Sequence, residues 1–469
     1  MSPQSPVSPR RLAPPRSAPV RTWTPNLQQA YRGTEAIAAL FGLWLGGAVA
    51  VWWLTASAHW WRSTNRTEVA LSELTGLVGV ALLLGAVLLV ARVPWLERTL
   101  GLDGLTVWHR RIAPWGAGLV TVHVVSAILG YAGLNRSGLL PQMWSFVTSW
   151  PDMLPAYAGF VLLIAAGVTS WRRARRRFRY ETWWAVHLYS YLAIVLSLLH
   201  QIHAGAAFTG GTSFARFAEL VWITAHVAVL GAVVLFRIGL PVILSLRHDL
   251  RIHSVIRQGR GAISVILSGR DLDRLRLAGG QFAQFRFARG DLWWQAHPYS
   301  ISGLPWRDRM RITIAEGGDH AAAVATLRPG TRVWFEGPYG IFTADRLEAG
   351  NRVLLVAGGV GVTPVRTLLD DLPRSARPVV VYRTREEADV LFREELTDLV
   401  HSRGGQLHVL VGSRVEQPLD GQRLRRLVPD LARRDVYVCG PEPLVEAVRT
   451  AAAQAGVPSA RVHVEEFAW

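Results

Sequence analysis

The chain has 469 residues, half of them hydrophobic, and its 51 basic and 34 acidic side chains leave a formal charge of +17. This length suggests about three domains. The charge would ordinarily favour nucleic acid as a partner, but the arginines stand mainly between apolar spans, so we expect them to orient the chain in a membrane. The single cysteine, Cys439, excludes an internal disulfide and a Cys-rich metal site.

Residues 1–33 are rich in Pro, Ser and Arg and contain no aliphatic run. Such a segment cannot bury a core, so a disordered tail is expected. The first apolar span after it is too long for the hydrophobic region of a signal peptide, and it carries no clean cleavage site. The tail is therefore predicted to stay attached and to lie in the cytoplasm.

Six apolar segments of near-membrane length follow within residues 34–240. They cover residues 36–56, 69–91, 107–131, 154–171, 183–204 and 214–236. Arginines concentrate before the first segment, around the junction of the second and third, in the run Arg172–Arg179, and after the sixth. The positive-inside rule then predicts a multi-pass protein of the cell membrane with both chain ends in the cytoplasm.

Two of these spans carry pairs of histidines. His109 and His123 are 14 residues apart, which on a helix is a climb of about 21 Å with a return to nearly the same face. His187 and His200 are 13 residues apart, which turns their rings about 140° away from each other on an ideal helix. A tightened or bulged turn, or an approach from different sides, is then required. His203 is an alternative to His200.

Imidazole is the usual axial ligand of haem iron, and an ionisable side chain within a membrane is by default a candidate functional group. The third and fifth spans run in the same direction in the predicted topology. His109 and His187 then match in depth near the inner face, and His123 and His200 match near the outer one. The sequence therefore predicts two stacked haems, with histidines packed in an ordinary core as the alternative.

Residues 248–345 change to short alternating strands separated by Gly and Pro turns, which is typical of a small antiparallel barrel. The predicted strands are 251–258, 262–268, 281–287, 311–315 and 332–336. Within this region, His297-Pro298-Tyr299-Ser300 offers a phenol ring and a hydroxyl that can stack on and hydrogen-bond one planar ligand, although an ordinary strand is equally compatible. Gly317 and Gly318 open a predicted helix, where free backbone amides would suit a pyrophosphate.

Residues 350–469 alternate strands and helices, which predicts a parallel sheet with helices on its faces. The predicted elements are 352–357, 365–371, 378–383, 393–400, 406–411, 422–427, 435–439 and 443–453. After the first strand comes a Gly-rich turn and a helix start, an arrangement that lets backbone approach a dinucleotide phosphate. Its candidate binding residues are Gly358, Gly359, Gly361, Thr363 and Pro364.

Two further strand ends in this region carry candidate residues. Cys439-Gly440-Pro441 follows a later strand, again where open α/β sheets bind ligands. Arg383 and Arg385 follow another and could clamp a 2′-phosphate, which would favour NADPH over NADH. Surface arginines in an Arg-rich chain are the alternative.

Several of these motifs together resemble a known family. Leu100-Gly101-Leu102-Asp103 with Trp108-His109-Arg110, and Tyr180-Glu181 with Trp183, His187 and His200, are similar to motifs of the ferric reductase/NADPH oxidase transmembrane family. The resemblance covers essentially everything after residue 33. It implies a six-helix transmembrane bundle with two bis-histidine haems b, then an antiparallel β-barrel flavin domain, then an α/β parallel-sheet nucleotide domain. It also favours His200 over His203.

The resemblance implies roles for the soluble half as well. In ferredoxin-reductase-type FAD domains the Tyr–Ser motif, here Tyr299 and Ser300, holds the isoalloxazine, and the Gly-rich turn holds the diphosphate. The family places a near-terminal aromatic over the flavin; Phe467 is expected there, with Trp469 behind it and a buried terminal aromatic as the alternative. Ser300, Cys439 and Phe467 are the expected catalytic residues.

The function implied is a transmembrane oxidoreductase that passes electrons from cytoplasmic NAD(P)H, as NADPH or NADH, through FAD and the haems to an extracytoplasmic acceptor. A ferric chelate and oxygen are the expected acceptors, and no nucleic acid is expected. A partner-dependent electron-conducting subunit or redox sensor is the alternative. The sequence does not indicate the oligomeric state.

Two positions depart from the family pattern. Ala321 stands where a Thr often follows the diphosphate turn, and Ala127 stands where the oxidases often have a His one turn beyond the outer ligand. The second departure disfavours a dedicated oxidase. Other side chains could line the outer pocket instead: His59, Arg62, Arg66 or His203.

Overall fold

The computed structural model describes residues 27–56, 60–171, 175–178, 180–348, 350, 352–413 and 415–465. The tail before Leu27, His59 and the near-terminal Phe467 and Trp469 lie outside the described residues. The chain forms two compact units. The membrane unit comprises Gly33–Leu96 and Leu102–Phe236. The described residues of the other unit, which we call the reductase unit, are 27–32, Glu97–Gly101 and those within 237–465.

The membrane unit is helical. Its helices are α1 (Leu27–Thr55), α2 (Thr64–Val90), α3 (Pro94–Leu134), α4 (Leu139–Ser149), α5 (Met153–Ser170), α6 (Tyr180–Ala204), α7 (Ala206–Thr209) and α8 (Ser213–Val233). Within the described part of the chain, six helices are long and apolar enough to cross a membrane, namely α1, α2, α3, α5, α6 and α8 with its continuation to His248. The six predicted spans are therefore confirmed, but α1 begins at Leu27, so the predicted tail ends earlier than residue 33.

Small residues bring the membrane helices close together, as is common where side chains must not hold backbones apart. A Cβ at Gly130 of α3 would lie 2.9 Å from the carbonyl oxygen of Asn65 on α2. A Cβ at Gly159 of α5 would lie 2.8 Å from the carbonyl oxygen of Ala193 on α6. These contacts fix α2 against α3 and α5 against α6, which are the helices that carry or support the histidines.

Helix α3 is interrupted at Gly101, whose φ of 72° and ψ of 155° are not helical. The turn before this break, Glu97–Gly101, belongs to the reductase unit. There the backbone N–H of Gly340 donates to Glu97 Oε1 at 2.7 Å, and Arg346 donates to two carbonyl oxygens of the turn at 2.7 and 2.9 Å. Glycine is required because a side chain rarely adopts this positive φ.

The first sheet of the reductase unit is antiparallel. Its strands are β1 (Arg251–Gln258), β2 (Ala262–Ser268), β3 (Phe282–Phe287), β4 (His297–Trp306), β5 (Arg309–Ala315) and β6 (Val333–Tyr339), in the order β1-β2-β5-β4-β3-β6. Helix α9 (Leu240–His248) precedes it, and α10 (Asp319–Ala325) lies between β5 and β6. An isolated bridge between Arg251 and Arg332 joins the two edges of this sheet, but among the residues that the structure describes no continuous ladder closes it, so the predicted barrel is not closed.

The second sheet is parallel. Its strands are β7 (Val353–Gly358), β8 (Val379–Thr384), β9 (Gln406–Val411), β10 (Asp435–Cys439) and β11 (Val462–Glu465), in the order β11-β10-β7-β8-β9. The helices are α11 (Val362–Asp371), α12 (Arg393–His401), α13 (Gly421–Leu427) and α14 (Glu442–Gln454). Leu355 and Leu354 of β7 point into two different cores, so both faces of the sheet are covered. The predicted α/β class is confirmed.

Candidate functional site

The four predicted histidine ligands come together in two pairs between α3 and α6. The ring centres of His109 and His187, the first pair, are 6.0 Å apart with an angle of 81° between the planes. The ring centres of His123 and His200, the second pair, are 6.4 Å apart with an angle of 50°. Each pair takes one histidine from each helix, as the sequence predicts.

Hydrogen bonds orient three of the four imidazoles through Nδ1. His109 donates to the carbonyl oxygen of Ala86 at 2.8 Å, and His123 donates to the carbonyl oxygen of Ser72 at 2.8 Å. His187 Nδ1 lies 3.2 Å from the hydroxyl of Ser170. Since that hydroxyl donates to a backbone carbonyl at 2.6 Å, its oxygen accepts from His187. In these three rings Nε2 therefore keeps its lone pair, which is the arrangement that metal-binding histidines adopt.

The fourth imidazole, His200, and its neighbour His203 differ in their surroundings. Helix α6 is an unbroken α-helix, so His187 and His200 leave it from different sides and no bulge is present. His203 Nδ1 lies 2.6 Å from Asp152 Oδ2, and its side chain is about half exposed. His200, which has a buried Nδ1 without a hydrogen-bond partner among the described residues, is therefore the one that faces His123.

The spacing of both pairs suits a haem. A metal–imidazole bond of about 2 Å, with about 1.1 Å more to the ring centre, puts two axial imidazoles about 6 Å apart. The observed separations of 6.0 and 6.4 Å agree with this. In an ordinary packed core, nothing would require the ring centres of both histidine pairs to be about 6 Å apart.

An apolar cavity adjoins the second pair between α2, α3, α5 and α6. Besides His123 and His200, its polar lining residues are Ser72, Glu73, Tyr131, Tyr157, Ser197 and Gln201. Ala127 lines it too, whereas Arg62, Arg66 and His203 are not part of its described lining. The described lining of this cavity contains His123 and His200 but neither His109 nor His187, so the cavity belongs to the second pair.

Gly76 of α2 makes room for the second pair. A Cβ at this position would lie 2.7 Å from His123 Nδ1, closer than such contacts occur in proteins. At Gly46 of α1, by contrast, a Cβ would meet no atom within 4 Å. The glycine at position 76 therefore permits the position of the His123 ring.

In the reductase unit, the Tyr–Ser motif begins β4 and faces α10. The hydroxyl of Tyr299 lies 2.8 Å from Nδ1 of His320, and the ring centres of His297 and His320 are 3.7 Å apart. Burial, and then the nearby imidazole of His297, lower the pKa of His320 to about 4. Burial raises the pKa of Tyr299. At neutral pH the cluster is therefore uncharged and can only offer hydrogen bonds.

The predicted diphosphate turn lies at the start of α10. Gly318 has a φ of 110°, and a Cβ at Gly317 or Gly318 would meet no atom within 4 Å. The backbone of Gly317 and Gly318 therefore borders open space that a ligand could occupy. Ala321 is buried at 5% exposure and packs into the barrel core, so it is a structural residue here. Ser300 is buried at 4% exposure in β4.

The two predicted nucleotide motifs lie side by side at the carboxyl ends of β7 and β10. A Cβ at Gly361 would lie 2.3 Å from the carbonyl oxygen of Cys439, and one at Gly440 would lie 3.1 Å from Cα of Gly358. Gly359, with a φ of 55°, has open space around it. The glycines thus serve two needs, close approach between the loops and an open backbone for a phosphate.

The remaining predicted residues of this domain are also placed. Cys439 is fully buried, and burial followed by the charge of Glu465 raises the pKa of its thiol well above the usual value. Arg383 pairs in register with Gly358, so it lies beside the Gly-rich turn, while Arg385 is exposed. Thr363 donates to the carbonyl of Val360 at 2.9 Å and thereby stabilises the turn. Pro364 lies in the first turn of α11, and Pro441 lies just before α14.

Comparison with known proteins agrees with this division. The sequence profile of the family described as "Ferric reductase like transmembrane component" matches residues 75–198, which hold three of the four histidines, His109, His123 and His187, and end just before His200. Residues 75–198 therefore form a ferric reductase-like transmembrane domain. The profile of the "Oxidoreductase NAD-binding domain" matches residues 355–450. The chain therefore fuses a ferric reductase-like transmembrane domain to an oxidoreductase module.

Curated relatives match the reductase half. Ferredoxin–NADP reductase B of Sorangium cellulosum is 31% identical, over 36% of this chain and 77% of that protein. The ferredoxin reductase component of 3-ketosteroid-9-alpha-monooxygenase from Mycolicibacterium smegmatis is 28% identical, over 47% of this chain and 65% of that protein, a little less than two thirds. A solved ferredoxin NADP+ reductase from Neisseria gonorrhoeae with bound FAD and NADP shares 15% identity, over 46% of this chain and 97% of that one, with a TM-score of 0.40.

Three site residues of the ferric reductase-like chain were not singled out by its sequence. His320 and Ser170 contact predicted residues through one hydrogen bond each, and Gly76 lies on another helix. Glycine and serine are frequent in membrane helices, so their sequence carries no signal. His320 could have been found, because it follows the predicted diphosphate turn directly.

Proposed function

We propose that this protein is a transmembrane oxidoreductase that passes electrons from cytoplasmic NAD(P)H, through FAD and two b-type haems, to an acceptor on the opposite side of the membrane. The observation that carries the proposal is the pair of matched imidazole separations, 6.0 and 6.4 Å, at two levels of the same two helices. FAD accepts a hydride and haem carries single electrons, so together they convert a two-electron donor into one-electron steps.

In this proposal the histidines would hold the haems. His109 and His187 would hold the one near the cytoplasmic face, and His123 and His200 would hold the other. The Nδ1 hydrogen bonds fix the tautomer, so that Nε2 is the nitrogen available to iron. Trp183 stacks on His187, with ring centres 5.4 Å apart, and closes one side of the first pair.

The reductase unit holds the other two cofactors in this proposal. Tyr299 and Ser300 position the flavin ring, and the open turn at Gly317 and Gly318 receives its diphosphate. The candidate nucleotide residues lie at the carboxyl end of the parallel sheet, where such folds bind ligands. They are Gly358, Gly359, Gly361, Thr363, Pro364, Arg383, Arg385, Cys439, Gly440 and Pro441, with Phe467 proposed over the flavin.

The arginine distribution supports a cytoplasmic donor. By the positive-inside rule, the arginine-rich connections favour a cell-membrane protein with both chain ends in the cytoplasm. The acceptor then reaches the second pair, beside which the cavity opens. A ferric chelate is the preferred acceptor and oxygen the second, because Ala127 in that cavity offers no imidazole to reduced oxygen.

The test uses full-length protein in phosphatidylcholine nanodiscs, supplied with haem and FAD. We expect a low-spin six-coordinate haem b spectrum, about two haems per chain, that NADPH reduces under argon. His123→Ala and His200→Ala should each remove one haem. His203→Ala is the matched control on the same helix and should keep both, because His203 is engaged with Asp152.

Acceptors are then compared by stopped-flow re-oxidation of the reduced protein. Re-oxidation by ferric citrate faster than by air agrees with the proposal, and the reverse order would replace ferric chelate with oxygen. Absence of haem absorbance, or loss of a haem in His203→Ala but not in His200→Ala, would refute the histidine assignment. Slow re-oxidation by both acceptors would refute direct reduction and favour a partner-dependent subunit.

A further inference from the structure

A second, strongly basic concavity lies on the nucleotide domain, away from the predicted cofactor residues. It has a volume of about 720 Å³. Its lining residues are Arg352, Arg374, Ser375, Arg377, Ser402, Arg403, Gly404 and Arg433. No acidic side chain belongs to this lining. We call it the arginine pocket.

The arginine pocket lies at the amino-terminal end of the parallel sheet. Arg352 directly precedes β7, and Arg377, Gly404 and Arg433 stand within two residues of the starts of β8, β9 and β10. The Gly-rich turn is at the other end of β7, and a strand of this length spans about 20 Å. Since open α/β sheets bind their nucleotides at the carboxyl ends, the pocket is separate from the cofactor cleft.

Three of its guanidinium groups are unengaged. The side chains of Arg374, Arg377 and Arg433 are exposed and have neither an ion-pair partner nor a hydrogen-bond acceptor among the described residues. Arg352, by contrast, pairs with Asp430 at 3.0 Å. Unpaired like charges gathered around one concavity repel each other, so an anion in the pocket would relieve that repulsion.

Arg403 also lines the pocket, and three hydrogen bonds to backbone carbonyl oxygens hold its guanidinium group in place. It donates to the carbonyl oxygens of Leu372, Leu399 and Asp370 at 3.2, 3.0 and 3.2 Å. Burial lowers the pKa of Arg403, the carboxylate of Asp370 opposes this, and the nearby guanidinium of Arg374 lowers it further. The positive charges are thus close enough to act on one another.

The backbone at Arg377 brings its side chain to the edge of the pocket. Its φ of 42° and ψ of 58° are left-handed, a conformation that costs an arginine energy. The conformation lets the carbonyl oxygen of Arg377 accept from Arg434 at 3.1 Å, while the side chain borders the pocket.

We propose that the arginine pocket binds a small anion with two or more phosphate groups. Guanidinium groups match phosphate oxygens with paired hydrogen bonds, and the pocket volume is within the range of about 300–1,000 Å³ that small-ligand sites occupy. Arg377 and Arg433 lie just before the starts of two different strands, β8 and β10. A ligand with two phosphates could therefore bind one arginine with each phosphate. The phosphates come either from a soluble oligophosphate or from a phosphorylated lipid headgroup.

The experiment is a calorimetric titration of full-length protein in phosphatidylcholine nanodiscs. NADP+ is kept saturating, so that the cofactor cleft cannot take the probe. The two probes are inorganic tripolyphosphate and a short-chain phosphatidylinositol bisphosphate. We expect one site per chain, weakened at least about tenfold in the triple variant Arg374→Gln/Arg377→Gln/Arg433→Gln, because it loses charge-assisted hydrogen bonds.

The control removes the same charge elsewhere. Arg276→Gln/Arg328→Gln/Arg426→Gln alters three exposed arginines outside the pocket and should bind as tightly as the wild type. An unchanged KM for NADPH shows that each variant folds. If the pocket triple variant does not fold, the single variant Arg433→Gln replaces it. Binding of tripolyphosphate assigns a soluble ligand, and binding of the lipid alone assigns a headgroup. No binding of either probe, or equal weakening in both triple variants, overturns the proposal.

Discussion

Glu395→Gln should loosen the reductase unit where its two sheets meet. Both carboxylate oxygens of Glu395 on α12 accept hydrogen bonds of 2.8 Å from Arg311 of β5, and one also accepts a 2.8 Å bond from Arg366 of α11. Arg366 pairs in turn with Asp370. Two positive and two negative charges therefore balance, and they connect a strand of the barrel with two helices of the nucleotide domain.

The expected cost follows from how deeply these groups are buried. The side chains of Arg311 and Arg366 are 4% and 3% exposed, and that of Glu395 is 15% exposed. Removing one partner of a buried ion pair costs about 3–5 kcal/mol, because the remaining charge has lost its compensation. We take about 3 kcal/mol, since Arg366 keeps Asp370. At about 1.4 kcal/mol per factor of ten, local opening becomes about 150-fold more frequent.

Hydrogen–deuterium exchange of the full-length protein in nanodiscs measures this opening directly. Peptides from β5 and α12 should exchange about 150-fold faster in Glu395→Gln. Glu446→Gln is the control, because its 3.4 Å pair with Arg449 is about half exposed and is worth about 1 kcal/mol at most. Equal exchange in β5 of both variants would show that the buried network does not hold the domains together.

The network also predicts a pH dependence. Burial raises the pKa of Glu395, but the hydrogen bonds and charges of Arg311 and Arg366 outweigh it and lower the pKa below the ordinary 4.5. A carboxyl group with a lowered pKa contributes its full stability above pH 4.5 and loses it as the pH falls through the lowered value. The protection of β5 from hydrogen exchange, corrected for the intrinsic exchange rate, should stay constant from pH 7 to 5 and decrease below pH 5. In Glu395→Gln this decrease should be absent.

Three further predictions follow from single residues. Gly76→Ala should displace the ring of His123 and alter one of two haem spectra, whereas Gly46→Ala should leave both unchanged, as redox difference spectra would show. The pKa of His320, lowered to about 4 mainly by burial, means that the unfolded state binds more protons between pH 6.5 and 4. Flavin retention should therefore fall across that window, and fall less in His320→Gln, by flavin fluorescence. Cys439, buried and with a raised pKa, should resist iodoacetamide in the folded protein at pH 8 and react on denaturation.

Much of the reductase fold could be predicted because its local patterns are strong. The bounds of β1, β2, β9 and β10 are those that the sequence predicts. Each lies between turn residues, and each is either alternating or continuously apolar, which specifies a strand. The parallel order of the second sheet followed from the alternation of strands and helices.

Other elements escaped prediction for local reasons. Strand β4 (His297–Trp306) was not among the predicted strands, because it contains two prolines and its pairing with β5 is irregular. Strand β11 (Val462–Glu465) is too short to show a period. Helix α4 (Leu139–Ser149) is amphipathic and shorter than a membrane span, so a search for spans passes over it.

The candidate site shows the same limit. Histidine pairs are visible in sequence because they repeat along a helix, whereas their hydrogen-bond partners are not. Ala86 and Ser72 contribute only backbone carbonyls to His109 and His123, and any residue has one. The residues that orient the ligands are therefore fixed by helix packing, which no local pattern reports.

The unequal spacing on the two helices gives the two pairs different surroundings. A step of 13 residues on unbroken α6 turns the second ring about 140° from the first, while 14 residues on α3 return to nearly the same face. The first pair is closed on one side by Trp183, and the second adjoins the cavity that contains Glu73. Because solvent exposure and nearby hydrogen bonds set the potential of a bound haem, identical ligand pairs should differ in potential here. We therefore expect the second pair, with its open side, to be the place where the acceptor is reduced.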